Sequence, residues 1–370
     1  MRVLPSICLC LWATATLAGD LHSFDETNLA KLQKHYQKEI VKSVPWSGHW
    51  WPYAEGGIAG TKYGAESPAA KLDRAMGMFG RLLGWETQGH GPRAGAQTWW
   101  GHCNGWATAA IMESEPREPL RVNGVEFKSG DLKAILSEYW LESSADSIGK
   151  RVWDANDFTS DAFWDVVPAQ FHLLLTNFVG RQHRSVIVDR YTGAEVWNHP
   201  VVAYEVAPIK PEDYIGRDRE FPNIYRVNVQ TTIWWANDEV EPQDLMTPFD
   251  WRESLFYQSR VLRYELWLDG PVEFDSEGKL TRSGNIVLTD RGYGGQWKNG
   301  RTYEALINSH PDFIWLPLSN AKATTEKNPY LNDEWVKTNL TGRYTAGPAS
   351  GRFPRKTFRR LLAFPAFPGK

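Results

Sequence analysis

The sequence predicts an α+β protein with a helical N-terminal half and an antiparallel, β-rich C-terminal half. Apolar residues recur at helical spacing in residues 132–140 and 168–179, which is the pattern of amphipathic helices. After about residue 205 the period changes to two, most clearly in residues 225–235 and 262–268. Strict alternation of this kind is typical of half-buried strands. We therefore expect an active site between a helix and this sheet.

The composition is that of a globular protein and excludes some classes of partner. The chain has 370 residues, of which 42% are apolar and 23% are charged, so it can bury a sizeable core. The formal net charge of −3 gives no reason to expect a nucleic acid partner. Beyond the N-terminal segment, no stretch approaches the roughly 20 apolar residues that cross a bilayer. We expect no transmembrane segment.

Residues 1–18 have the pattern of a secretory signal peptide. Arg2 is basic, residues 4–17 are mostly apolar, and small residues surround a cleavage position at Ala18. A short buried helix is the alternative interpretation. The signal peptide predicts a mature protein that is secreted or periplasmic.

The remaining chain is expected to form one catalytic unit, residues 19–344, followed by a tail. The unit is divided at residue 205 into a mainly helical part (19–205) and a mainly β part (206–344). Residues 345–370 hold six basic side chains among prolines and predict a frayed basic tail.

The cysteine count predicts a reactive thiol. Two of the three cysteines, Cys8 and Cys10, lie in the signal peptide, so the mature chain keeps only Cys103. An exported chain with one cysteine has no internal disulfide and exposes its thiol to oxidation unless the thiol is used. We therefore predict a catalytic cysteine, and a buried structural cysteine is the alternative.

The residues around Cys103 favour the catalytic interpretation. Residues 97–107 read QTWWGHCNGWA, and an apolar helical pattern begins just after the cysteine. The positive end of a helix dipole favours a thiolate at that position. Gln97, six residues upstream, has a side-chain amide suited to binding an oxyanion, a spacing that resembles papain-like proteases.

Several motifs, two of which contain tryptophan, occur in an order that resembles the transglutaminase elicitor family, which comprises secreted oomycete cell-wall proteins and bacterial relatives. They are the segment around Cys103, then Phe171-His172, then Asp189, and then Glu-Val-Trp-Asn-His-Pro-Val at residues 195–201. His199 stands where glutamine is expected, so we predict no catalytic role shared with the family for His199. The resemblance covers about residues 40–340. It implies a papain- or transglutaminase-like core that transfers acyl groups from protein glutamine to amines.

The resemblance also implies a catalytic triad. His172 is followed by Asp189 after 17 residues, an order and spacing similar to the Cys–His–Asp triads of transglutaminases. We predict Cys103 as nucleophile, His172 as base and Asp189 as its orienting carboxylate, with His310 as the rival base. Helical periodicity places His172 in a helix. Oxyanion or substrate binding is predicted for four residues: Gln97, Trp100, Trp197 and Asn198. No metal ligands are predicted, the chemistry requires no cofactor, and a Ca2+ requirement is left open.

The predicted function is an exported protein-glutamine γ-glutamyltransferase that acts through a cysteine thioester. Its partners would be protein or peptide substrates that provide a glutamine donor and a primary amine or lysine acceptor. A cysteine protease or protein-glutamine deamidase with the same triad is the first alternative, because only the acceptor changes. A non-enzymatic surface or cell-wall binding protein that uses its 19 tryptophans is the second.

Overall fold

A computed structural model of the chain describes residues 21, 23–62, 64–93, 95–149, 151, 166–191, 193–242, 255–288, 294–298, 310–320 and 326–341. The predicted signal peptide and basic tail lie outside these residues and stay predictions. Within the described ranges, no helix combines the length and the apolar character needed to cross a bilayer.

Most of the α-helices of the described residues lie before residue 182, and strands predominate after it. The α-helices are α1 (Leu29–His35), α2 (Pro68–Met76), α3 (Arg81–Gly89), α4 (Cys103–Met112), α5 (Ser129–Tyr139), α6 (Pro168–Leu174) and α7 (Asp333–Asn339). A π-helical segment, Leu175–Arg181, continues α6. The strands are β1 (Lys38–Ile40), β2 (Leu120–Val122), β3 (Val125–Phe127), β4 (Ser143–Gly149), β5 (Ile187–Asp189), β6 (Asn198–Val206), β7 (Tyr214–Arg217), β8 (Tyr225–Ala236), β9 (Tyr257–Leu268), β10 (Glu273–Phe274), β11 (Leu280–Arg282), β12 (Gly295–Trp297) and β13 (Phe313–Asn320).

One nine-stranded antiparallel sheet organises the described residues. Its order is β12-β9-β8-β6-β5-β13-β4, with β1 also paired to β6 and β7 to β8. The predicted antiparallel sheet is thus observed, but β1, β4, β5 and β6 come from the part of the chain predicted to be mainly helical. The sequence of β4, Ser-Ser-Ala-Asp-Ser-Ile-Gly, lacks alternation because the strand lies at an edge, where few side chains are buried.

Two apolar clusters lie on opposite faces of this sheet. Helices α2 to α5 contribute to one cluster, whereas α1, α6 and the π-helical segment contribute to the other. Successive residues of β5 are divided between them: Ile187 joins the first cluster and Val188 the second. Successive side chains of a strand point to opposite faces. Helices α4 and α6 therefore cover different faces, and this separates residues that the sequence predicted to meet.

Two glycines near Cys103 allow close approach of its helix to its neighbours. A Cβ atom at Gly105 would lie 2.0 Å from the carbonyl oxygen of Ser137 in α5. A Cβ atom at Gly101 would lie 2.5 Å from the carbonyl oxygen of Trp50. The glycines on either side of Cys103 thus let α4 begin against α5 and the loop that contains Trp50.

Candidate active site

Cys103 is the first residue of α4, and the predicted start of this helix is confirmed. The thiol is free and its residue is only 6% exposed. The turn before it is held by a hydrogen bond from the His102 N–H to the Trp50 carbonyl oxygen at 2.6 Å. Asn104 fixes the other side, because its side-chain amide donates to the Leu141 carbonyl oxygen at 2.6 Å.

Asn198 contacts the sulfur directly. Its Nδ2 donates to the Cys103 Sγ at 3.5 Å, and the thiol lies 3.7 Å from the carbonyl oxygen of Val196. The Asn198 Oδ1 accepts a hydrogen bond from the Trp315 indole at 2.8 Å, which orients the amide. A residue predicted to bind substrate therefore contacts the sulfur of Cys103.

Two buried carboxyl groups complete this neighbourhood. Asp189 pairs with Asn198 across β5 and β6. Its Oδ1 accepts the Trp197 N–H at 2.8 Å, whereas its Oδ2 has no hydrogen-bond partner among the described residues. Asp238 follows β8, and neither of its carboxylate oxygens accepts a hydrogen bond within the described part of the chain. The neutral imidazole of His199 lies close to Asp238, with its Nε2 3.6 Å from Oδ2. We refer to Cys103, Asp189, Asn198, His199 and Asp238 as the Cys103 site.

Burial controls the ionisation of the Cys103 site. It raises the pKa of Cys103 to about 11; the Asn198 hydrogen bond opposes this rise, and the charges of Asp238 and Asp189 add to it. The expected preference for a thiolate is therefore not met in this state, because burial disfavours the charged form. Burial also raises the pKa of Asp238 to about 6, with the positive charge of Arg190 opposing the rise. The pKa of Asp189 is raised well above its ordinary value, again mainly by burial.

The structure does not bring His172 to Cys103. His172 lies in α6, as its periodicity predicted, and its Nδ1 is 2.8 Å from the Tyr264 hydroxyl. Both residues belong to the far face of the sheet, and burial lowers the pKa of His172 to about 3. Within the described residues, the side-chain contacts of His172 are with Tyr264 and not with Cys103 or Asp189. Its predicted role as base, oriented by Asp189, has no supporting contact, because helical spacing does not indicate which face of a sheet a helix covers.

The rival base, His310, stacks on Trp297 with ring centroids 4.6 Å apart. Its Nδ1 lies 3.0 Å from the Pro311 carbonyl oxygen. Burial lowers its pKa to about 4. Because Trp297 packs with the second apolar cluster, His310 is held at that cluster by its ring.

Two further residues predicted to bind substrate, Trp197 and Trp100, each pack against an arginine. Trp197 contacts the Trp50 ring edge-on at 5.1 Å and the Arg190 guanidinium at 5.3 Å. Trp100 has the Arg93 guanidinium 5.8 Å from its ring centre. Gln97 is exposed, and its carbonyl oxygen accepts the Trp100 N–H at 3.1 Å. No contact in the described structure joins the Gln97 side chain to Cys103, so its oxyanion role stays a prediction.

A cavity of about 440 Å³ opens beside Asn198. Asn104 and Trp315 line it together with Glu142, whose Oε2 is buried without a hydrogen-bond partner among the described residues. Burial raises the pKa of Glu142. The cavity therefore holds a carboxyl group and is also lined by Asn198, which contacts the thiol.

A second group of titratable side chains includes His102, the residue before Cys103. Glu86 and His90 at the end of α3, His102 before α4, and Glu138 of α5 are all buried, and one ligand atom from each lies within 4.8 Å of the others. We call these four residues the Glu/His cluster. The predicted site contained no metal ligands, and the spacing of Glu86 and His90, which places both on one helix face, is the signal that was missed. His199 with Asp238 was also missed, because 39 residues separate them.

Comparisons with known proteins agree with the sequence resemblance. The model of the Transglutaminase elicitor family matches residues 86–219, a range that contains Cys103, Asp189 and Asn198. Among solved structures, the crystal structure of the GP42 transglutaminase from Phytophthora sojae is similar in fold, with a TM-score of 0.58 and 22% sequence identity over 82% of this chain and 90% of that chain. No curated protein sequence matches the chain. The chain is therefore similar to the transglutaminase elicitor family, and the resemblance predicted from its sequence is confirmed.

Proposed function

We propose that the protein is a protein-glutamine γ-glutamyltransferase in which Cys103 forms a thioester with the donor glutamine. The observation that carries this proposal is a thiol at a helix start, contacted by Asn198 and influenced by two buried carboxyl groups that differ in environment. Burial raises the pKa of both carboxyl groups, and shifted pKa values of this kind are common where acid and base chemistry takes place. The similarity to a family and a structure that both carry the transglutaminase name adds support.

Asp238 is the proposed base of the first half-reaction. With a pKa near 6 it is ionised at neutral pH and lies close to the ideal pKa for proton transfer there. It takes the thiol proton, and the sulfur attacks the carboxamide carbon. The C–N bond then breaks, and the departing nitrogen takes a proton from Asp189, whose raised pKa favours the neutral acid. The products are ammonia and the thioester.

The second half-reaction restores every proton. A neutral primary amine attacks the thioester carbon and forms the new C–N bond, and its surplus proton passes to Asp189. The C–S bond breaks, and the sulfur recovers its proton from Asp238. His199 stays neutral in this scheme, because burial lowers its pKa to about 3. Its imidazole packs 3.6 Å from Asp238 Oδ2 and helps to fix the position of that carboxylate.

Both half-reactions pass through a negatively charged tetrahedral oxygen. Asn198 Nδ2, already directed at the sulfur, is one proposed donor to this oxygen. The first N–H groups of a helix lack intrahelical partners, so the first turn of α4 supplies further donors. Gln97 would join them only after the exposed turn before Trp100 moves onto a bound substrate.

Glu142 favours an amine acceptor over water. A buried carboxylate oxygen without a partner at the wall of the cavity suits an incoming ammonium group, and it can take the proton that the amine must lose before it attacks. A protease or deamidase with the same nucleophile has no use for this carboxylate. We therefore keep hydrolysis as the second candidate and test it through Glu142.

Incubation with a glutamine-containing protein and a labelled primary amine tests the proposal. Wild-type protein should incorporate label, and log(kcat/KM) should fall with a slope of one below about pH 6 as Asp238 becomes protonated. Cys103→Ala should lose more than about 1,000-fold in rate. Release of ammonia without any incorporated label would support the deamidase, and label incorporation by Cys103→Ala would refute the mechanism.

Glu142→Gln separates acyl transfer from hydrolysis. This variant should raise the KM for the amine while ammonia release in the absence of amine is unchanged. Glu212→Gln, in an exposed position away from the cavity, is the matched control. An unchanged KM for the amine in Glu142→Gln would remove Glu142 from acceptor binding.

A further inference from the structure

The Glu/His cluster has the geometry of a closed tetrahedral metal site. Four contacts join its nitrogen and oxygen atoms: His90 Nδ1 lies 3.0 Å from Glu86 Oε2 and 3.6 Å from Glu138 Oε2, and His102 Nε2 lies 2.9 Å from Glu138 Oε2 and 3.9 Å from Glu86 Oε2. A tetrahedron of ligands at about 2.0 Å from Zn2+ has edges of about 3.3 Å. The four observed distances lie around this value.

The second oxygen of each glutamate and the second ring nitrogen of His102 are held from outside the cluster. Asn328 donates from its side chain to Glu86 Oε1 and from its backbone to Glu138 Oε1, both at 2.6 Å. The His102 Nδ1 lies 3.4 Å from the Trp51 carbonyl oxygen. Outer contacts of this kind fix the orientation of metal-binding carboxylates and imidazoles and leave one atom of each directed inwards.

Burial makes a cation favourable at the centre. Glu86 and Glu138 are 0% and 1% exposed, and two carboxylates taken out of water repel each other unless positive charge lies between them. One divalent ion balances two carboxylates and leaves both histidines neutral, which is the form that binds metals. The ion would then link the helices that carry the ligands to one another.

We propose that the Glu/His cluster binds one Zn2+ ion with a structural role. Two imidazole nitrogens and two carboxylate oxygens suit Zn2+, whereas Ca2+ takes six to eight oxygen ligands. Four protein ligands leave no open position for substrate, so the ion stabilises the fold and takes no part in acyl transfer. Because His102 precedes Cys103, the ion anchors the start of α4 to α3 and α5. This inference does not depend on the proposed function.

Metal analysis of the full chain tests the site. After dialysis against a chelator and titration with Zn2+ alone, wild-type protein should retain about one Zn2+ per chain through desalting. Glu138→Gln and His90→Ala should bind at least about tenfold more weakly. Glu205→Gln and His183→Ala, which change a carboxylate and a histidine outside the cluster, should bind as the wild type does.

The geometry is tested on the wild-type chain, so the result does not depend on whether the variants fold. Co2+ bound in place of Zn2+ should give the intense visible absorption of a tetrahedral site, and one equivalent of Zn2+ should abolish it. A wild-type chain that retains no Zn2+, weak octahedral Co2+ absorption, or equal losses in the cluster and control variants would overturn the proposal.

Discussion

The Glu/His cluster and the Cys103 site lie on either side of the same turn, but they differ in whether their buried carboxylate oxygens have hydrogen-bond partners. In the cluster, both oxygens of Glu86 and of Glu138 have partners, and Asn328 holds one oxygen of each. In the Cys103 site, Asp189 Oδ2 and both oxygens of Asp238 accept no hydrogen bond within the described part of the chain. A satisfied buried network stabilises a fold, whereas unsatisfied buried groups destabilise it and are retained where chemistry requires them. The Glu/His cluster is thus expected to stabilise the fold, and the Cys103 site is expected to take part in the reaction.

The largest expected effect on stability comes from breaking the Glu/His cluster. Glu138→Ala removes the acceptor of the Asn328 N–H and of His102 and leaves buried partners without compensation. Loss of one member of such a buried pair destabilises a protein by about 3–5 kcal/mol. Urea unfolding followed by tryptophan fluorescence measures the difference, with Glu205→Ala as the control, since its ion pair with Lys38 is partly exposed and contributes less than about 1 kcal/mol. Equal stability of Glu138→Ala and wild type would contradict the structural role.

Asp238→Asn should change the stability in the opposite direction and make the folded protein more stable at neutral pH. The pKa of Asp238 is about 6 in the folded protein and about 3.9 in an unfolded chain, so folding favours its protonated form. The contribution of Asp238 to the free energy of unfolding is therefore fully present below about pH 4 and is lost as the pH rises through about 6. At pH 7 the ionised carboxylate destabilises the wild type by about 3 kcal/mol, and the asparagine variant should be more stable by up to that amount.

Unfolding curves at pH 4 and pH 7 check this prediction, and the advantage of Asp238→Asn should vanish at the lower pH. Its acyl transfer rate should fall although its stability rises, because the proposed base is gone. A variant that is less stable than wild type at both pH values would show that Asp238 supports the fold, and its assignment to chemistry would fail.

Local patterns in the sequence predicted much of the site but not its assembly. The start of α4 at Cys103, the helix of His172 and the strand that ends at Asp189 were all correctly predicted, since each depends on spacing within one short segment. Which face of the sheet a helix covers depends on the path of the whole chain. Periodicity therefore could not separate His172 from Cys103.

The residues that the sequence interpretation missed are those that meet across long separations. Asp238 reaches His199 only because β6 and β8 pair side by side. Glu86 and His90 lie one turn apart and could have been noticed, but their partners His102 and Glu138 come from two other helices. The expected preference for a thiolate failed for a related reason, because burial of Cys103 is a property of the packed structure.

The smallest expected effect concerns the ionisation of Cys103 itself. With a pKa of about 11, its alkylation by iodoacetamide should accelerate tenfold per pH unit from pH 7 to pH 10 without reaching a plateau. Asp238→Asn should lower the pKa of Cys103 and speed alkylation in this range, since the charge of Asp238 opposes the thiolate. His172→Ala should leave the profile unchanged, because its contacts lie with Tyr264 on the far face of the sheet. Mass spectrometry of the Cys103 peptide distinguishes specific alkylation from unfolding. A plateau already reached at pH 6 would mean that the helix dipole outweighs burial, and a profile moved by His172→Ala would restore the predicted Cys–His pair. Either result would show that burial and the two carboxyl groups do not control the ionisation of Cys103, on which the proposed roles of Asp238 and Asp189 depend.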